Sequence, residues 1–480
     1  METISNLPSP QNQGTHQDVV ILDNEWLRTA EKNIKKEPKF LNNTSGWEAC
    51  SIFRAPQTLK KIHHQEFEPQ VVSIGPYYHG KKELRMIQEH KWRLLGGVVD
   101  RAKEKKVGLG LDDFYKVVKI KEAEIRQSYS DSNSVDRFDS KKLIEMMVLD
   151  GCFILELICA AERQVKRQND PLLMPRWLLY SISRDLLKLE NQIPFFVLTT
   201  LFNQHWKFIM RGNDRSLTQL IFKFFHRSIQ INDKVIPDSC NNLDGKHLLH
   251  LFSQRFISPL LSVTETVSDR NLEKQKEKKC TRRFCFPCLT KKREHLQSIR
   301  PVEKLLAAGI KFKKSEIVLS FLDIKFRPNG ILEIPRSFTG TLTSCFLLNS
   351  IAFEQCYVFC KPYFTPYVVF MSCLISASSD AGHLLDRRIF ENSGTDEEVV
   401  KFFSSLKDDV FVDITGSYLK RVIDDVNEYY DNVWHIRWAE FKYNYFGNPW
   451  IFLSALTALI LLLLTVLQSF YTVYGYLNPP

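Results

Sequence analysis

The sequence is poor in residues that interrupt regular structure: 480 residues hold only 19 glycines and 20 prolines. That excludes a collagenous or low-complexity chain, and a hydrophobic fraction of 44% excludes a wholly disordered one. Catalytic templates are missing as well. There is no Gly-x-Gly-x-x-Gly, Gly-x-x-x-x-Gly-Lys-Ser/Thr, His-Glu-x-x-His or Gly-x-Ser-x-Gly. Dinucleotide, P-loop, zinc-protease and serine-hydrolase chemistries therefore have no signature here. The 11 cysteines are odd in number and scattered, several in apolar stretches where a thiol packs as a small hydrophobe. No cationic stretch followed by an apolar run opens the chain, so no secretory signal is read and a reducing compartment is expected for the main body.

Charge is unevenly placed. The net charge is +10, and ten basic residues against only Glu273 and Glu277 lie between Arg270 and Arg293. A nucleic-acid-binding domain would spread its basic footprint over a folded face; here the charge forms one solvated insertion, and no nucleic-acid partner is expected. Within or just beyond it stand Cys280, Cys285, Cys288 and His295. Four N/S ligands would complete a tetrahedral zinc site, but the gap from Cys288 to His295 is unconvincing, so no metal and no cofactor is expected. S-acylation of cysteines beside basic residues, and a plain solvated loop, are the competing readings. A basic loop of this kind could also lie on an anionic lipid surface.

No charged residue follows Lys442. From Pro449 to Leu467 the chain is apolar for about 19 residues, ~28 Å as a helix, against ~30 Å of hydrocarbon. Trp450, Ile451, Leu461, Leu464 and Val466 belong to this run, whose Leu, Ile, Phe and Val residues favour insertion by about 3–6 kcal/mol together. Tyr443, Tyr445 and Phe446 precede it and Phe470, Tyr471, Tyr474 and Tyr476 follow it, the pattern of an interfacial aromatic belt. Arg437 and Lys442 stand before the span and no cation after it, which places the preceding body on the cytoplasmic side.

Hydrophobic spacing predicts helices over 19–36, 82–106, 112–128, 141–163, 183–189, 193–210, 217–229, 246–256, 302–308, 344–359, 367–377, 381–390, 396–406 and 417–443. The segment 141–163 is apolar nearly all round and belongs at the centre of a core. Its Asp150 and Glu156 point apart, so capping or pairing is the expected role of these carboxylates. One hairpin is predicted, the runs at 317–326 and 331–335 turning at Pro328-Asn329-Gly330. Gly75-Pro76 suits a tight turn, Asn191 or Gln192 suits a helix cap before Pro194, and His63-His64 reads as a solvated pair.

Several ordered blocks resemble one family. IFRAPQTLK (52–60), EPQVVSIGPYYHG (68–80), EHKWRLL (89–95), MMVLDGCFILELI (146–158), DLLKLENQIPFFVL (185–198), LLAAGIKF (305–312), LNSIAFEQC (348–356) and the terminal NPW with its apolar helix are similar to the plant domain-of-unknown-function 247 family, also called UPF0481. The Cys-containing insertion and Ala55 depart from the family blocks. The resemblance implies a plant-specific, largely helical protein ending in one membrane span, without an established activity; some grass members are implicated in self-incompatibility.

The expected architecture is mainly α: a large multi-helix body with a small β-hairpin, plus one C-terminal transmembrane helix. Residues 1–44 form a polar extension with a short amphipathic helix, 45–445 the helical family domain with the basic insertion at 270–295, and 446–480 the anchor and tail. The expected function is recognition or scaffolding at a membrane, the plasma membrane foremost, with lipids and an unidentified protein as partners and no enzymatic activity. Two alternatives are an enzyme of unfamiliar type using Asp150, Glu190 or His79 in a buried pocket, and peripheral lipid binding through the insertion. Convergence of those three groups in a concave pocket would favour the enzyme.

Overall fold

The computed structural model describes residues 24–35, 47–104, 110–163, 175–206, 215–229, 243–274, 299–316, 319–391, 394–407, 416–432 and 449–477, with Leu172 and Cys240. Its centre is α8 (Ser140–Arg163), whose side chains from Leu143 to Cys159 are buried except for a half-exposed Glu145. A helix apolar on every face needs neighbours on every face. They are α4 (Arg85–Glu104), α5 (Leu111–Lys119), α10 (Phe195–Leu201) and α11 (Leu217–Ile229). Gly151 lets α10 come close, since a Cβ there would stand 2.5 Å from a methyl of Leu201.

A second group of helices continues the same hydrophobic cluster, which runs from Cys50 to Val426. α14 (Thr341–Cys356) packs on the short α3 (His64–Phe67), on α9 (Arg176–Asp185), on α12 (Leu248–Lys274), on α15 (Phe364–Leu374) and on α17 (Asp396–Lys407). The carboxylate of Glu354 accepts from the backbone N–H groups of Tyr363, Phe364 and Thr365 at 2.7–2.9 Å and from the Thr365 hydroxyl at 2.7 Å. It thereby satisfies the first amides of α15, although burial raises its pKa.

The hairpin lies where Asn329-Gly330 places it: β2 (Lys325–Arg327) runs antiparallel to β3 (Ile331–Ile334), with Gly330 at φ +76°. It is not alone. β1 (Lys311–Lys314) joins β3 in parallel to make a three-stranded sheet, and β4 (Ser337–Phe338) pairs with β5 (Phe390–Glu391). β1 was missed because it is a lysine-rich stretch of four residues with a single buried side chain, Phe312, too short for an alternation to register.

Other boundaries shift for identifiable reasons. The helix predicted over 112–128 is two, α5 and α6 (Glu122–Gln127), and the polar gap after it contains α7 (Ser132–Asp136), capped by the Asp131 side chain. The helix predicted over 183–189 is α9, which ends at Asp185; the residues after it turn inward instead. α12 extends through Pro259 well past Phe256. The last soluble helix is Lys420–Asp431, and 433–448 lies outside the described residues. His63 is bound rather than solvated, its Nε2 standing 2.8 Å from the Ser405 carbonyl.

The terminal helix, α19 (Pro449–Leu477), is 29 residues long. The stretch Leu456–Tyr474 is long and apolar enough to cross a membrane, and none of it is buried against the other described residues. Leu461, Leu464 and Val466 lie in it and are exposed; Trp450 and Ile451 lie on the same helix ahead of it.

Candidate functional site

Residues 185–192 leave α9 as a turn whose polar side chains all face inward. Glu190, 1% exposed, accepts from Arg54 Nη1 at 3.1 Å, Lys60 Nζ at 3.0 Å, the Tyr78 hydroxyl at 2.5 Å and the Ala55 backbone N–H at 3.0 Å. Arg54 also binds Asp131 Oδ2 at 3.2 Å and lies 3.9 Å over the Tyr77 ring. Burial and the adjacent Glu190 carboxylate push the Tyr78 hydroxyl far above its ordinary range, so it stays a donor.

The neighbours of Glu190 serve the backbone. Asp185 accepts from the N–H groups of Gln70, Val71 and Val72 at 2.7–3.0 Å and forms an ion pair with Lys188 Nζ at 3.1 Å. Lys188 spends its other protons on the carbonyls of Gln65 and Glu68. Asn191 accepts from Ile74 N–H and donates to Val72 and Asp185 carbonyls, while Gln192 donates to Leu186 and Lys188 carbonyls. Neither caps the helix after Pro194, as the sequence suggested: α10 begins without a side-chain cap because the Asn191 amide holds Val72 and Ile74 of the 70–76 segment, and the Gln192 amide holds the Leu186 and Lys188 carbonyls and the Leu249 N–H. Asn349 of α14 closes the set, accepting from Leu189 N–H at 2.8 Å and donating to the Glu66 carbonyl at 2.9 Å.

Asp150 stands on α8 beneath the Gly75 turn. Its oxygens bind Lys91 Nζ at 2.5 Å and Gly75 N–H at 2.7 Å, and Lys91 also donates to the Ser73 carbonyl. Glu156, two turns further on, binds Arg101 at 2.6 Å. His79 lies edge-on to Phe138, 5.4 Å between centroids, and burial lowers its pKa.

Asp150 and Glu190 are therefore each bound by their own partners and share none of them. Chemically such groups hold a fold together: a nucleophile or base needs a free lone pair facing substrate. A cleft lined by Ile299, Pro366, Val369, Phe370, Cys373, Ser417 and Ile423 holds little more than one water and touches none of them. Among the described residues no group of His, Cys, Asp and Glu is arranged to hold a metal ion. Cys280, Cys285, Cys288 and His295 lie outside the described residues.

The sequence reading named Asp150 and Glu190 but missed the cations that bind them, Arg54, Lys60 and Lys91, and missed Asp185, Lys188 and Asn349. A signal existed. Arg54, Asp185, Lys188 and Asn349 are charged or amide residues beside apolar neighbours, where an unpaired polar group would be costly; Lys60 and Lys91 stand in polar stretches that give no such signal.

These blocks also carry the relationship to known proteins. A family described as plant protein of unknown function, DUF247, matches residues 52–464. UPF0481 protein At3g47200 of Arabidopsis thaliana is 36% identical over 446 residues, 92% of this chain and 90% of that protein. Putative UPF0481 protein At3g02645 of the same plant is 24% identical over 492 aligned residues, 88% of this chain and 90% of its own. No solved structure matches. A single family thus spans the buried polar cluster, the sheet and most of the terminal apolar helix, and the chain belongs to the plant DUF247 (UPF0481) family.

Proposed function

We propose that the protein is a single-pass membrane protein anchored by α19, whose helical body acts as a recognition or scaffolding module in plant signalling. The observation that carries this reading is α19 itself, whose large side chains from Leu453 to Tyr474 are 40–66% exposed along one continuous stretch, whereas the exposed apolar residues of the body are scattered. In water that surface would be a heavy liability; in a bilayer it is the required one. Arg437 and Lys442 before the span favour a cytoplasmic body, and the plasma membrane is the proposed site.

A binding role rather than catalysis is supported by the polar core, where the buried carboxylates are consumed by structural partners. Exposed aromatics on the body, Trp92 and Trp177 among them, suit contacts with a protein partner. The test is extraction with alkaline carbonate, followed by reporters at Met1 and Pro480 and capture of bound proteins with the anchor intact. Retention in the membrane, reporters in opposite compartments and a reproducible partner are expected. Release by carbonate, or both reporters in one compartment, refutes the anchor; absence of any reproducible partner refutes scaffolding.

A further inference from the structure

Six polar residues other than tyrosine occur in α19: Ser454, Thr457, Thr465, Gln468, Ser469 and Thr472. At about 100° per residue they fall, with Ala458 and Leu461, within an arc of roughly 120°. Leu456, Leu459, Leu463, Leu467 and Phe470 occupy the opposite face. Positions 454, 457, 461, 465, 468 and 472 repeat at 3-4-4-3-4 spacing, an average of 3.6 residues that keeps them on one face of a straight helix, as a helix–helix seam requires.

The hydrogen-bonding demand of that seam is unequal. The hydroxyls of Thr457, Thr465 and Thr472 donate to the carbonyls of Leu453, Leu461 and Gln468, each at 2.8 Å. The Gln468 carboxamide, with two donors and an acceptor, has no partner among the described residues. The candidate span Leu456–Tyr474 contains it, which sets this carboxamide in the hydrocarbon. Within Leu456–Tyr474 it lies about 9 Å from the nearer end.

Lipid tails offer a carboxamide nothing, and none of Leu456–Tyr474 is covered by the described body. A second copy of the chain offers what is needed at the right depth. Glutamine is donor and acceptor at once, so two copies related by a two-fold axis along the helices place Gln468 against Gln468, while Ser, Thr and Ala let the backbones approach. We propose that α19 pairs with α19 of a second copy through the 454–472 seam, with Gln468 bonding across it. This rests on the membrane reading above.

The test uses full-length chains carrying donor and acceptor fluorophores, reconstituted in phosphatidylcholine vesicles over a series of protein-to-lipid ratios. Each variant is first scored for retention through alkaline carbonate. Energy transfer is expected at low density in the parent chain. Gln468→Leu should shift half-dissociation to a density about three- to tenfold higher, with a further shift on adding Thr465→Leu, and Leu463→Ala should leave it in place. Loss of carbonate retention overturns the anchor. Retention without energy transfer at any density, or transfer that Gln468→Leu leaves unchanged, overturns the pairing while the anchor stands.

Discussion

Asp185 shows what a single side chain does here. Its carboxylate satisfies three consecutive backbone amides of the 70–72 segment and neutralises Lys188, both side chains being fully buried. Asp185→Ala leaves a buried ammonium without its anion and three amides without an acceptor, a cost of about 3–5 kcal/mol. Urea denaturation read by circular dichroism should show that loss; a change below ~1 kcal/mol would mean water reaches the site. The His247 and His250 pair sets a pH response. Burial holds His247 well below the usual histidine range, and burial with Lys246 nearby lowers His250 to about 4. In the unfolded chain both titrate near 6.5. Between those values the unfolded chain binds more protons than the folded one, so stability falls as pH drops from about 6.5 to 4 and is unaffected above that window. Thermal midpoints measured from pH 7.5 to 4.5 should fall accordingly, and His250→Gln should flatten part of the slope.

At the scale of elements, the 70–80 segment is positioned by contact rather than by its own regular structure. Gly75 has φ +73°, and a Cβ on it would stand 2.3 Å from the Gln192 carbonyl oxygen and 3.1 Å from the Tyr129 hydroxyl. Gly80 has φ +88° but open space where a Cβ would go. Gly75→Ala should therefore cost ~3 kcal/mol or more, with both strain and a backbone clash, and Gly80→Ala only about 1 kcal/mol. Equal midpoints for the two variants in denaturant would refute the close approach. The Gly-Pro turn was legible in the sequence because φ preferences are local. The carbonyl it packs against, 117 residues away, was not.

At the scale of the whole molecule, α19 contributes nothing to the packing of the described body. A chain ending at Asn448 should keep its thermal midpoint within about 2 °C and unfold in one transition, while losing its hold on membranes. A large drop in the midpoint would mean that the tail packs on the body. Local chemistry written along the chain determined much of this protein: an uncharged apolar stretch long enough for a bilayer, the helix of 217–229, the Asn329-Gly330 hairpin and the all-round apolar α8. Each follows from periodicity, turn preference or length, which need no knowledge of distant neighbours. Only the tertiary structure decided that Arg54, Lys60 and Tyr78 surround Glu190, that Lys91 meets Asp150, and that Asn349 ties α14 to the 185–192 turn. Pairing of buried polar groups depends on which segments fold against one another. That is fixed by the packing of the core, and no spacing along the chain records it.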